Sequence, residues 1–465
     1  MSVLKDFLKE KCLEQEAKGI ADSAWRLRCH LMAPVGWLND PNGLCQYRGV
    51  YHVFFQYGPF DVNGGLKLWG HYASRDLVHW EYEGAALYPD SPYDCHGVYS
   101  GSAYTDEDGI HLFYTGNIKF DGDYDYINSG RGSNTMYVHS ADGTAFGPKE
   151  FLMGSADYPA DYTCHIRDPK VFCRGGVYYM VLGGRKKGDH GAVLLYCSED
   201  MKQWKLAGEL TTRQPFGYMW ECPDYFTLGG HSFLAVCPQG VEAEKYRYQN
   251  IYQSGYFRIK SGFPGEIEEE SFEEWDYGFD FYAPQSFEDE SGRRILIGWM
   301  GVPDAPYTNP TTAHGWQHAL TVPRELQYRD GKILQYPVKE LEMLRKAPQK
   351  FSESRSGGGC FDLEITEIGP GSWHLDFPGR FSVEYSGGIV TLLMDEQAGF
   401  GRTVRRARTG EIHTLRLLMD TSAAELYLNG GEYVFSTRVY PQNPELCTAA
   451  WTGAKMQAEI YELHA

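Results

Sequence analysis

Short runs of alternating apolar and polar residues fill most of this chain, divided by glycine-rich or acidic turns. A strand, a turn and a second, aromatic-rich strand recur five times: GLCQY-RG-VYHVFF at 43–55, GSAY-TDEDG-IHLFY at 101–114, PKVFC-RGG-VYYMV at 169–181, DYFTL-GG-HSFLAV at 224–236 and PQSF-EDESGRR-ILIGW at 284–299. Period-two alternation joined by a tight turn is the signal of a β-hairpin. The turns begin at 48, 105, 174, 229 and 288, so the units repeat every 55 to 69 residues. A second motif, S-x-D-x-x-x-aromatic, follows a strand at Ser74–Trp80 and Ser198–Trp204, and more weakly at Ser140–Phe146. Its Ser and Asp suit a side-chain-to-backbone turn ahead of a last strand. Five such units, each with two hairpins, predict a five-bladed β-propeller. No long helical periodicity separates the strands, which argues against a parallel α/β fold.

The flanks have different patterns. Leu4, Phe7 and Leu8 predict one short amphipathic helix within an N-terminal extension at 1–30, ahead of a propeller at 31–336. PVKELEMLR and SESRSGGG predict a short helix and a loop, giving a helix and linker at 337–359. From 360 to 465 the alternation becomes clean, in FDLEIT, SWHLDF, FSVEY, IVTLLM, HTLRLLM, AELYLN, YVFSTRV and QAEIYEL. These eight strands predict a β-sandwich, so the fold class is all-β, a propeller followed by a sandwich.

Composition narrows the function classes. The 34 Tyr, 24 Phe and 11 Trp favour pleated, half-buried surfaces, and 53 Gly with 23 Pro fit many turns. The net charge, 43 − 62 = −19, repels phosphate backbones and anionic lipid, so neither nucleic acid nor a membrane is an expected partner. No signal-peptide core, membrane-length apolar run or usable glycosylation sequon stands out. The 11 Cys are scattered without C-x-x-C spacing, which points to reduced thiols rather than a disulfide framework or a zinc site. These features together predict the cytoplasm.

Three acids stand near the starts of first strands: Asp40 in WLNDPNG, Asp168 in HIRDPKVF and Glu221 in MWECPDYF. Taken singly, each has an ordinary explanation as a turn residue, a salt-bridge partner or a cap. In a propeller, however, first strands line the central channel, so acids in matching places of units one, three and four converge at one mouth. Clustered carboxylates repel, and a chain with no use for them avoids the arrangement. Trp37, Asn39, Gln56, Trp69, Tyr99, Ser100, Trp220 and Trp299 lie around them in the sequence. Indole faces beside amides match the C–H faces and hydroxyl edges of a sugar, and paired carboxylates are the apparatus of glycoside hydrolysis.

With YSGS at 99–102 and Trp69-Gly70-His71, the three acid motifs resemble the β-fructofuranosidases of glycoside hydrolase family 32. The resemblance extends over nearly the whole chain after residue 30. It implies Asp40 as nucleophile on the ketose anomeric carbon, Glu221 as acid/base and Asp168 as transition-state stabiliser. It further implies that Asn39, Gln56, Trp69, Ser100 and Arg167 bind the fructosyl unit, with Tyr99 and Trp299 at its border and Trp37 as a pocket wall. Retention of configuration implies an Asp40–Glu221 carboxyl separation of roughly 5–5.5 Å. No metal or cofactor is implied, and the partner is a small sugar. HYASRDLVHW and DFYAPQSFEDESGRRILIGWMG look most like the bacterial members that hydrolyse sucrose 6-phosphate. A phosphate calls for cations, for which Lys67, His71, Arg185 and Lys186 are candidates, although Arg185-Lys186-Lys187 also fits a solvated basic turn. Tyr99 stands where many relatives carry Phe. The competing expectations are an inverting, arabinanase-like pentosidase on the same propeller, and a non-catalytic sugar-binding propeller.

Overall fold

Each of the five hairpins forms the first two strands of a separate antiparallel sheet in the computed structural model, which describes residues 3–20 and 23–464. Blade 1 runs through Gly36–Tyr47, Val50–Gly58, Leu68–Ser74 and Trp80–Leu87. Blade 2 begins at Val98–Asp106, blade 3 at Tyr162–Arg174, blade 4 at Met219–Leu228 and blade 5 at Tyr282–Glu288. These five first strands pack against one another in ring order, the fifth against the first. A two-residue strand from blade 5, Trp316–Gln317, also pairs in parallel with Gly36–Trp37 and so ties the last blade to the first. Five apolar clusters fill the gaps between neighbouring blades. That is how a chain with short strands builds a large core: every sheet buries both faces against its neighbours.

The S-x-D motif closes the turn between third and fourth strands. Asp76 Oδ1 accepts from the backbone N–H of Val78 (3.0 Å) and His79 (2.8 Å), and Asp200 Oδ1 accepts from Lys202 and Gln203 (both 2.8 Å). The weaker copy behaves alike, with Asp142 accepting from Thr144 and Ala145.

The helix spans Val3–Lys18 but does not bury the side expected of it. Leu8 and Cys12 face the protein, while Leu4 and Phe7 are exposed. A polar contact accounts for the rotation: Glu16 accepts from the hydroxyls of Tyr57 (3.0 Å) and Tyr82 (2.7 Å). The Lys339–Leu344 segment is a 3-10 helix, and the expected loop at 352–359 holds a strand, Ser354–Gly358.

The sandwich has two six-stranded sheets, twelve strands where alternation predicted eight. Three of the four extra strands, Gln349–Phe351, Ser354–Gly358 and Val404–Arg408, lie at sheet edges. Their Lys, Arg, Ser and Gly residues erase the alternation, as suits edges that must not pair with another chain. The fourth, Leu446–Gly453, turns the small residues Cys447 and Ala449 inward, which weakens the same signal. Propeller and sandwich meet across a buried polar joint, where Arg324 pairs with Glu425 (2.5 Å) and Asp276 (3.3 Å).

Candidate active site

The ladder between first and second strands breaks at the same place in every blade. Two residues lie unpaired between Leu38 and Pro41, Val98 and Gly101, Arg167 and Lys170, Glu221 and Asp224, and Tyr282 and Gln285. Bulges of this kind re-aim side chains at the rims of closed sheets. In blades 3, 4 and 5 the first bulge residue is left-handed, with φ of 63° at Asp168, 48° at Cys222 and 48° at Ala283, and a proline follows each. Non-glycine residues hold such a conformation only where their surroundings force it.

The three acids therefore share a bulge but not a register. Asp168 is the first unpaired residue of its blade, Asp40 the second of its own, and Glu221 the last paired residue before the break. The matching places inferred from turn spacing differ by one position each way, because the first strand of blade 1 carries a second bulge between Asn42 and Cys45 and the blade 3 turn begins at Gly175, one residue later than the sequence suggests. The side chains still meet. Cys222 donates its backbone N–H to Asp168 Oδ2 (2.9 Å), and its thiol lies 3.7 Å from that oxygen and 3.9 Å from Asp40 Oδ2. Arg167 Nε stands 3.8 Å from Glu221 Oε1.

Asp40 sits at the end of two hydrogen-bond chains. Trp37 Nε1 donates to Asn39 Oδ1 (2.6 Å), and Asn39 Nδ2 donates to Asp40 Oδ1 (3.0 Å) and to Gln56 Oε1 (3.0 Å). The Ser100 hydroxyl, which accepts from Gln56, donates to Asp40 Oδ2. The indole before the carboxylate thus orients the amide that orients the acid. Asn42 locks the turn by donating to the Asp40 carbonyl (3.0 Å) and accepting from Gly101 N–H of blade 2 (2.9 Å). Gly43 adopts φ +54°, and a Cβ there would stand 2.7 Å from the Phe54 ring.

Burial pushes the Asp40 carboxyl above its ordinary range, opposed by the bonds from Ser100 and Asn39. Asp168, only 4% exposed, is pushed up to about 7. Burial is the main cause, and Glu221 and Asp40 add to it against the pull of Arg167. Glu221 is held by one oxygen: Oε2 accepts from Gln239 Nε2 and from Tyr282 OH, both at 2.8 Å. Oε1 faces Arg167. Asp40, Glu221, Arg167, Asn39, Trp37 and Tyr99 are part-exposed, whereas Gln56, Ser100 and Asp168 are buried beneath them. The result is a polar recess with carboxylates on its walls, fit to grip a small polyhydroxylated ring.

Not every expected wall residue reaches that recess. Trp69 is fully buried in the cluster between blades 1 and 2 and donates to the Tyr99 carbonyl (3.0 Å), so it supports the rim from behind. Trp299, 2% exposed, backs Trp37 at 5.9 Å between centroids, with His318 at 4.9 Å. Trp220 is likewise buried. Tyr282 and Gln239 had no sequence argument, yet Tyr282 shows a usable signal: Arg167, Glu221 and Tyr282 each stand two residues before a proline, and the three gather at Glu221.

Of the four cation candidates, His71 is buried against Phe54 and His52. Arg185 pairs with Asp189 (2.6 Å), and Lys186 pairs with Glu209 (2.8 Å). Lys67 differs. Its ammonium lies 4.5 Å from the centre of the Trp37 ring, is buried and has no hydrogen-bond partner among the described residues. Burial pulls it down to about 7 against the attraction of Asp40 and Asp61.

Residues 30–337 match the model of the glycosyl hydrolases family 32 N-terminal domain, and residues 385–462 match the family's C-terminal model. The chain is 40% identical over 460 residues to a sucrose-6-phosphate hydrolase of Bacillus subtilis, covering 94% of each protein. It is 38% identical over 440 residues to a raffinose invertase of Escherichia coli, covering 90% of each. Among solved structures, a sucrose-6-phosphate hydrolase of Lactobacillus gasseri superposes with a TM-score of 0.89 at 27% identity, over 98% of this chain and 96% of that one. A Bombyx mori β-fructofuranosidase variant in complex with sucrose superposes with a TM-score of 0.84 at 29% identity, over 99% of this chain and 98% of the other.

Proposed function

The chain belongs to glycoside hydrolase family 32, and from that premise we propose that it cleaves the β-fructofuranosyl bond of sucrose or sucrose 6-phosphate with retention, through a fructosyl-enzyme. The observation that carries the reading is the meeting of Asp40, Asp168 and Glu221 from three blades around one recess. An Asp40 oxygen attacks the anomeric carbon as the bond to the glycosidic oxygen breaks, and Glu221 gives that oxygen its proton. Glu221 then takes a proton from water, which displaces Asp40 from the sugar. Its Oε2 already accepts two hydrogen bonds, so Oε1 is the oxygen free to carry the proton. Asp168 and Arg167 grip fructose hydroxyls, and the Asp168 carboxylate offsets the positive charge that develops at the anomeric carbon.

Lys67 supports the 6-phosphate as substrate. A buried ammonium without a partner is costly, and a phosphate dianion on the leaving glucosyl unit supplies what it lacks. The free thiols support a reducing compartment, consistent with the cytoplasm. No helix among the described residues is long and apolar enough to cross a membrane.

Two measurements test the proposal. Asp40→Ala is expected to abolish sucrose cleavage, and full activity in that variant would end the catalytic assignment. The wild-type chain is expected to prefer sucrose 6-phosphate in kcat/KM. Lys67→Met is expected to reduce that preference about tenfold, as loss of one charge-assisted contact should. An unchanged ratio would remove Lys67 from phosphate recognition.

A further inference from the structure

Where the N-terminal segment meets the sandwich, four metal-binding side chains converge from three stretches of chain. Cys29 and His30 precede blade 1. Cys360 and Asp420 flank the paired strands Phe361–Ile368 and Leu415–Met419, just beyond the Phe361–Met419 pair. Cys29 Sγ lies 3.1 Å from Asp420 Oδ2 and 3.6 Å from His30 Nδ1. His30 Nδ1 lies 2.8 Å from Asp420 Oδ2, and Cys360 Sγ lies 3.7 Å from Asp420 Oδ1. Cys360 thus approaches the Asp420 oxygen opposite the one that faces Cys29 and His30. We propose that Cys29, His30, Cys360 and Asp420 bind one Zn²⁺ ion, a structural site that pins the N-terminal segment to the sandwich.

Three of the donors are already gathered, with the Cys29, His30 and Asp420 donor atoms all within 4.8 Å of one another. Donors at 2.0–2.3 Å from zinc stand roughly 3.3–3.8 Å from one another, so Cys29 and His30 are near their final places, and Cys360, beside the other Asp420 oxygen, swings in to complete the set. The shortest edge, His30 to Asp420, has to open by about 0.5 Å. Two thiolates, an imidazole and a carboxylate are a donor set that selects zinc over calcium or magnesium.

The surroundings match those of a metal-bound histidine. His30 Nε2 is 3.0 Å from Glu425 Oε1, so the ring atom facing away from the site is held by a carboxylate. Glu425 is in turn paired with Arg324. Asp420 accepts the backbone N–H of Arg28 (3.0 Å), Cys29 (3.0 Å) and Thr421 (2.7 Å), which fixes its orientation. His30, Cys360 and Asp420 are buried, while Cys29 is part-exposed and gives the ion a way in. Metal entry displaces one proton from each thiol and the Nδ1 proton of His30, three in all, and no electrons move. The Cys spacing argued against zinc because the ligands come from positions 29, 30, 360 and 420, which only the fold unites.

The full chain, grown with zinc and dialysed, is expected to hold about one zinc ion per molecule by elemental analysis. Loaded with Co²⁺ instead, it is expected to show thiolate-to-cobalt charge-transfer absorption. Cys360→Ser and Cys29→Ser are each expected to lose that absorption and most of the zinc. Chelation of the wild type is expected to lower its melting temperature while leaving sucrose cleavage at low temperature intact. Wild-type protein that retains no zinc and gives no cobalt band overturns the site, whether its Cys29 and Cys360 prove to be free thiols or a disulfide.

Discussion

Asp168 is held where an ionised carboxylate is unwelcome, so Asp168→Asn should stabilise the folded chain while removing its activity. In the folded state the carboxyl loses its proton near pH 7, and in the unfolded chain near its ordinary value of 3.8. Between those values the native state holds a proton that the unfolded state has released, so rising pH lowers stability, and the loss levels off above 7. At ~1.4 kcal/mol per pH unit the full effect is about 4 kcal/mol, of which roughly 2 is already present at pH 5. Asparagine cannot ionise, and its amide oxygen still accepts the Cys222 N–H. The weaker attraction to Arg167 offsets part of the gain at every pH where the aspartate is charged. The quantity to measure is the difference in unfolding free energy between variant and wild type, from urea titrations followed by tryptophan fluorescence at pH 5, 6, 7 and 8. That difference should widen in favour of the variant by about 2 kcal/mol from pH 5 to pH 8. A difference that stays constant over this range would refute the claim that the site stores electrostatic strain. The strain has a functional reason, since a carboxylate kept poor in solvent interacts strongly with the positive charge that develops on the sugar.

Glu221→Gln keeps an acceptor for Gln239 and Tyr282 but cannot donate a proton to the leaving oxygen. It should lower kcat on sucrose by about 10²–10⁴, with a much smaller loss on an aryl fructofuranoside whose leaving group departs unaided. Equal losses on both substrates would argue against the acid role. Tyr282→Phe removes one of the two bonds to Glu221 Oε2, worth about 1 kcal/mol, and should lower kcat about fivefold with little change in KM. An effect confined to KM would assign Tyr282 to substrate binding instead of positioning.

How much of this was legible in the sequence depended on the range of the interactions involved. The five hairpins, the S-x-D turns and the sandwich strands that face the core were readable, because turn chemistry and period-two alternation act over a few residues. The edge strands Ser354–Gly358 and Val404–Arg408 were not, since an edge avoids aggregation by giving up that alternation. The helix face was misjudged because Glu16 bonds to Tyr57 and Tyr82, neither of which is a local neighbour.

The same division runs through the site. Sequence alone determined which blades carry an acid and that the acids sit near strand starts, because hairpin turns act locally and fix where each first strand lies. Tertiary structure decided the one-residue offsets among Asp40, Asp168 and Glu221. It also buried Trp69, aimed the Tyr282 hydroxyl from blade 5 at a glutamate in blade 4, and left the Lys67 ammonium without a hydrogen-bond partner among the described residues. Each of these depends on which surface one blade turns to the next, and no stretch of chain contains both surfaces.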